Sequence, residues 1–469
     1  MVNLPEHVGE LPRLALILFA SGLAYRQAAS LLRFAFERKS DLDTSARSPH
    51  GHASWGPTNQ GTAVVDPPPE APEIAGPQAP LAEVQTGGVE LIDALAEEWR
   101  ELCEEEPNDQ PFCRPEWVCA YLRAFAPRAK LVLITARVDG RLRAVLPLIE
   151  ERGFLCGLPV RKLRSAANVH CVRFDMVRGA GAEGEAAVLA VWRRLRDLPG
   201  WDLIDLPYGY EGGTLEQLLR AARGDEYLVE SVQSWRSVYV PLPGENGAPQ
   251  NWFPGRKADF RAKLQRRRRK LQALGPLALR SFVRAHPEVL QRFYDLEASG
   301  WKGRRGTAIA QDPQRRQFYD EVAAAASRFG YLSLDSLELN SEVVSAHFGL
   351  RYRGRYFLPK AAYNEEFRGF GPGLLLVQAI LLEHQARQLR EFDFTGPWAP
   401  DEAQWANETR GCFEGYIFSR RGYGTLLHAV RFRLRRAIKA LLRLKRSKIP
   451  APPQRISQRD PSSAAADEG

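Results

Sequence analysis

The sequence predicts a mixed α/β protein whose folded body consists of two related halves. Three observations carry this. The apolar period changes from helical to alternating twice, about two hundred residues apart. Each alternating stretch leads to a strand ending in an acid, WDLIDL at 201–206 and REFDFTG at 390–396. A chain of 469 residues also exceeds what one core usually serves.

In chain order, residues 14–25 (LALILFASGLAY) are uncharged and apolar. They are too short to span a bilayer, and Glu6 and Glu10 stand where a secretory leader would be positive. The pattern continues to Phe36 with Arg26 and Arg33 interspersed, which reads as an amphipathic segment over 1–39. Residues 40–85 are rich in Pro, Gly, Ser and Ala without apolar periodicity and read as a disordered linker. Helical spacing then covers 91–102, and PFCRPEW (111–117) introduces a second helix through Phe125, with Pro115 suited to a first turn.

Residues 131–138 (LVLITARV), the pair Asp139-Gly140 and RLRAVLPLIEE predict a β-hairpin. In the second half, 331–339 (YLSLDSLEL) and the following EVVSAHFGLRYRGRYFLPKAAY predict a longer meander. Between the halves, ADFRAKLQRRRRKLQALG predicts a helix over 259–273, stopped by Gly275-Pro276.

The net charge of +9 is unevenly spread. Residues 256–270 hold nine Lys/Arg against one acid, and residues 431–448 hold nine and no acid, so the remaining body is net negative. That distribution argues against a general nucleic-acid surface. The basic helix then serves as a solvated face, as a nucleic-acid contact, or as a site for an anionic ligand such as a coenzyme A phosphate. Six cysteines lack CxxC pairs or a neighbouring His cluster, so no metal site and no disulfide framework is expected.

The most informative segment is RGFGPGLLLVQAILLEHQARQLR, 368–390. Gly369, Gly371 and Gly373 leave the backbone open, Pro372 restrains it, and Leu374 begins an apolar helical run. Such a turn points free amides at a phosphate, although an ordinary helix start has the same appearance. Strand, amide-rich turn, helix and strand follow in order here, as in the cofactor-binding unit of Gcn5-related acetyltransferases. The chain resembles the BioF2-like (CelD/BcsL-type) acetyltransferases within that superfamily (GNAT). The resemblance rests on PFCRPEW, RAKLQRRRRKLQALG, GWKGRRGTAI, HFGLRYRGRYFLPKAAYNEEF, GFGPGLLL and EFDFTG, and covers roughly residues 88–425. Where the family has a Tyr-Lys pair before a Trp, this chain has Ala403-Gln404 before Trp405.

The resemblance implies a tandem GNAT-like fold with mixed-sheet halves at 86–245 and 246–427, followed by a basic helix and tail at 428–469. It implies acyl-CoA, acetyl-CoA or longer, as co-substrate and an amine as acceptor, with a link to cellulose-type polysaccharide or envelope production. The alternatives are an aminoacyl-tRNA-dependent peptidyl or aminoacyl transferase of the tandem type, or a non-catalytic subunit of a polysaccharide-producing assembly. Gly369, Gly371, Gly373 and Leu374 are the expected cofactor contacts. Acyl transfer needs a neutral amine, a donor for the oxyanion and a departing thiolate. His347 and Asp393 are candidate bases, with a core histidine and a structural carboxylate as the plain alternatives. Tyr363 and Lys360 are candidates to protonate sulfur or neutralise substrate, with plain exposure as the alternative, and Trp301, Lys302 and Arg304 read as a mobile substrate loop or as surface packing. The C-terminal helix alternates Val430, Leu434, Ile438 and Leu441 with basic residues, the pattern either of peripheral contact with the inner membrane surface of a cytoplasmic protein or of a terminal helix packing its apolar strip on the domain.

Overall fold

The structure is a computed structural model that describes residues 79–242 and 258–434, except 384, 385, 398, 400, 401 and 407. The apolar segment 1–39, the linker as far as residue 78 and the basic helix beyond Leu434 lie outside the described residues.

In the first half, β1 (Leu81–Gly87), α1 (Glu90–Cys103) and α2 (Pro115–Phe125) precede the strands β2 (Leu131–Val138), β3 (Arg141–Leu155) and β4 (Leu158–Ser165). The short β5 (Val177–Arg178), α3 (Gly181–Arg196), β6 (Leu203–Tyr210), α4 (Thr214–Gly224) and β7 (Leu228–Pro241) complete it. In the second half, α5 (Ala258–Gln272), β8 (Leu277–Phe282), α6 (Pro287–Ser299), α7 (Trp301–Arg304) and α8 (Pro313–Arg328) lead to β9 (Leu332–Leu339), β10 (Glu342–Tyr352) and β11 (Arg355–Tyr363). Then come α9 (Pro372–Leu382), β12 (Glu391–Asp393), β13 (Thr409–Phe418) and α10 (Gly422–His428).

Local chemistry explains several boundaries. Asp139 and Gly140 both have positive φ, 48° and 77°, as the two-residue β2–β3 turn requires. Pro115 opens α2, whose buried face includes Trp117, Tyr121 and Leu122. One expectation is corrected: residues 81–85, assigned to the linker, belong to β1, which pairs antiparallel with β2 from Leu81↔Arg137 to Gly87↔Leu131. Ala82 and Val84 pack inward from this edge strand, and two small apolar side chains are too faint a period to stand out beside a Pro-rich stretch.

Twelve of the strands form one path, β1-β2-β3-β4-β6-β13-β7-β12-β11-β10-β9-β8, with β5 beside β3. The path contains the same unit twice. Four antiparallel strands are followed by a parallel pair whose connection carries a helix: β4 and β6 through α3, and β11 and β12 through α9. The halves also exchange strands. β13, the last strand of the second half, lies between β6 and β7, while the end of β7 pairs with β12 through Tyr239↔Asp393. The boundary drawn at 245/246 therefore follows the chain but not the sheet. Across this seam Trp117 meets Phe318 edge-on at 5.5 Å and Phe112 meets Phe357 at 5.5 Å, within a buried cluster to which both halves contribute.

Candidate active site at the second parallel strand pair

The turn before α9 takes its shape from three residues. Gly371 is left-handed, with φ 62° and ψ 55°, a conformation that favours glycine. Pro372 then enters the first helical turn. Leu375 N–H donates to the Gly371 carbonyl at 3.1 Å, so the amides of Gly373 and Leu374 precede the helical ladder. A Cβ added at Gly369 or Gly373 would meet nothing within 4 Å, so both glycines face open space. Leu374 packs against the core cluster that holds Phe260, Leu376 and Phe392.

A cation reaches this turn from α5. A Cβ on Gly371 would come within 2.8 Å of Arg267 Nη1. Helix α5 is held down by Phe260, Leu264 and Leu271, which are buried. Arg267 forms no ion pair among the described residues, so its charge adds to the positive end of α9. The sequence pointed to the basic helix; the single guanidinium at the turn is set by packing.

The first half holds a counterpart that is closed. Arg178-Gly179-Ala180-Gly181 echoes Arg368-Gly369-Phe370-Gly371, and Gly181 is also left-handed at φ 61°. Here, however, a Cβ on Gly184 would lie 1.8 Å from the Gly179 carbonyl oxygen. Ala180 N–H donates to Glu105 at 3.1 Å, and Arg143 donates to Glu105 and to the Ala180 carbonyl. Glu105 thus supplies this turn with a carboxylate of the protein's own.

Beyond the turn, β11 and β12 pair over only three positions, ending at Phe357↔Asp393. The stretch 358–363 of β11 then runs on without β12 and carries Lys360 and Tyr363. Tyr363 is half-buried opposite Ser345, and its hydroxyl has no hydrogen bond among the described residues. Lys360 is partly buried, its Nζ 5.6 Å from the centre of the Tyr319 ring. Burial, with Lys302 nearby, pushes its pKa down to about 8.

The two expected bases lie elsewhere. His347 is 2% exposed on β10, opposite Asp335 and Ala361. Its neighbour Phe348 faces Lys360, so strand alternation sends His347 and Lys360 to opposite faces of the sheet. Burial pushes the His347 pKa down to about 4, and Nδ1 has no partner among the described residues; it borders a cavity of about 20 Å³ between β9, β10 and α6. A neutral, enclosed imidazole fits the core reading. Asp393 is completely buried: Arg173 lies at 2.8 and 2.9 Å, Arg410 at 2.6 Å, and Thr395 N–H donates at 2.8 Å. With both oxygens engaged, it favours the structural reading over that of a base.

The expected mobile loop is also corrected. Residues 301–304 form α7, and Glu365, in the turn before α9, accepts from Trp301 N–H at 2.8 Å and from Arg304 at 2.8 and 3.0 Å. Lys302 bonds Glu297 at 2.8 Å and the Ala361 carbonyl at 3.0 Å. The segment is thereby fastened beside β11, with Trp301 44% exposed.

Residues 258–405 match the acetyltransferase (GNAT) domain family. This segment contains α5, the Gly371 turn, α9 and the β11/β12 pair, and the sheet repeats the unit in the first half. Among solved structures, FemX shares 10% identity, with 74% of this chain and 99% of FemX covered and a TM-score of 0.47. A tandem GNAT protein from the clavulanic acid biosynthesis pathway shares 13%, covering 72% and 98%, with a TM-score of 0.39. A GCN5-related N-acetyltransferase from Sphaerobacter thermophilus shares 16%, covering 72% and 95%, with a TM-score of 0.27. These likenesses are too distant to bear on activity. No curated protein matches the chain. Among the described residues there is no metal-ligand grouping of three His, Cys, Asp or Glu, and no helix long and apolar enough to cross a membrane.

Proposed function

We propose that the protein is an acyl-CoA-dependent N-acyltransferase acting on an amine, with the donor held by the second half. The observation that carries this reading is the open turn at Gly371, where the amides of Gly373 and Leu374 and the guanidinium of Arg267 converge beside open space. These groups suit a pyrophosphate, which accepts from helix-terminal amides and pairs with arginine. The resemblance to BioF2-like acetyltransferases, and through it a place in polysaccharide or envelope production, belongs to this proposal.

The acyl arm would run from that turn along residues 358–363, where β11 has parted from β12. Tyr363 supplies a hydroxyl that can donate to the departing sulfur. Lys360, Trp301, Lys302 and Arg304 border the acceptor side. Since His347 and Asp393 are enclosed, the amine loses its proton to water or arrives neutral.

Calorimetric titration with acetyl-CoA, free CoA and tRNA tests the reading. Binding of both CoA species, and none of tRNA, is expected. Binding of tRNA alone would favour the aminoacyl-tRNA alternative, and CoA binding without acyl turnover would favour the non-catalytic subunit.

A further inference from the structure

Three cations lie close together where the first half meets α7, α8 and β11. Lys302 is paired with the buried Glu297 at 2.8 Å, and Arg315 with Asp312 at 3.1 Å. Lys360 has no carboxylate partner among the described residues. Instead it meets the face of Tyr319, whose hydroxyl lies 3.3 Å from His170 Nδ1. His170 comes from the first half, between β4 and β5, and stacks on Phe125 at 5.3 Å. Burial pushes its pKa down to about 3, so it brings no charge to the cluster. The Ala361 carbonyl, next along β11, is already taken by Lys302.

Shielding an ammonium from water without a counter-charge is costly, and protein sites usually resolve it with an acid. Here both halves contribute side chains around the amine. Glu297 is the acid whose charge reaches it, but its carboxylate is already bonded to Lys302 and to the Ile309 N–H, so it forms no ion pair with Lys360. The lysine stands three residues beyond the last β11/β12 pair, in the stretch assigned to the acyl arm.

We infer that the acceptor amine carries an anionic group of its own, a carboxylate or a phosphoryl group, which pairs with Lys360 between the two halves. This rests on the acyl-transfer reading for the word acceptor, but the anion site itself can be tested separately. The ligand's charge supplies the missing ion pair, Tyr319 and His170 shape the wall, and α7, fastened through Glu365, closes the side towards the donor turn.

The test compares the whole protein with Lys360→Met and Lys360→Arg in thermal unfolding, with sodium acetate, inorganic phosphate or matched chloride. Lys360→Met is expected to melt higher than the parent without added anion, because an uncompensated charge is gone. It is also expected to lose the increment that acetate or phosphate gives the parent, while Lys360→Arg retains most of it. Taking the difference between parent and Lys360→Met cancels anion binding at the Gly371 turn. An acetate-only increment assigns a carboxylate and a phosphate-only increment a phosphoryl group. Equal increments in parent and Lys360→Met for both anions would overturn the inference. Failure of acetyl-CoA to bind the parent would instead remove the donor reading and leave the anion result standing.

Discussion

Arg173 and Asp393 are 220 residues apart in the chain, yet their guanidinium and carboxylate meet at 2.8 Å with neither side chain exposed. Arg173 also donates to Gln110 and Ser237, and Arg410 on β13 joins Asp393 to Glu391. The cluster lies where β7, β12 and β13 exchange between the halves. Removing one member leaves a buried charge uncompensated, so Asp393→Asn should cost about 3–5 kcal/mol of stability in urea unfolding. An equally stable Asp393→Asn protein with impaired turnover and a shifted pH profile would restore Asp393 as a base.

Gly373→Asp places a negative charge at the donor turn without steric conflict, since its Cβ position is open. Acetyl-CoA affinity should fall at least about tenfold, a loss of about 1.4 kcal/mol or more, while the melting temperature holds. Arg267→Ala should weaken CoA in the same direction and flatten its salt dependence. Undiminished binding in both folded variants would place the donor elsewhere.

The depressed pKa of His347 sets a direction for acid sensitivity. Above its ordinary value near 6.5 the ring is neutral in both states. Below that, the unfolded chain takes up a proton that the folded protein refuses down to about 4, so stability falls as pH drops through this window. Between pH 7.5 and 5 the ring accounts for about 2 kcal/mol of lost stability. His347→Leu should lose correspondingly less over the same range. Parallel pH-stability curves for parent and variant would contradict this.

Tyr363→Phe deletes only the hydroxyl. If that group protonates sulfur, kcat should drop by about 10²-fold with acetyl-CoA affinity unchanged. Full activity in the variant would leave thiolate departure to solvent.

The proposed membrane contact concerns residues beyond Leu434. Phe432 packs against Tyr416 and His428, so a chain shortened to Leu434 keeps that apolar contact while losing seven of the nine basic residues in 431–448. Flotation with anionic vesicles should recover the full chain and not the shortened one, and recovery should fall with salt. Equal recovery of the two chains would count against the anchor.

The sequence by itself determined what depends on neighbours in the chain. The Asp139-Gly140 hairpin and the glycine-rich start of α9 were legible because turn chemistry and apolar period are local, whereas the strand read as ending near Asp205 runs on to Tyr210. The division into two α/β units also follows from order along the chain. Tertiary structure decided which charges are spent and which remain available. Asp393 and Lys360 both read as reactive groups near the same turn, but folding pairs the first with two arginines and leaves the second without an ion pair among the described residues, the nearby Glu297 being bonded to Lys302. Glu105 closes the first glycine turn, whereas Arg267 stands beside the second, a difference invisible in the similar stretches RGAG and RGFG. Burial and counter-charge arise from contacts hundreds of residues apart, and a local pattern holds no record of them.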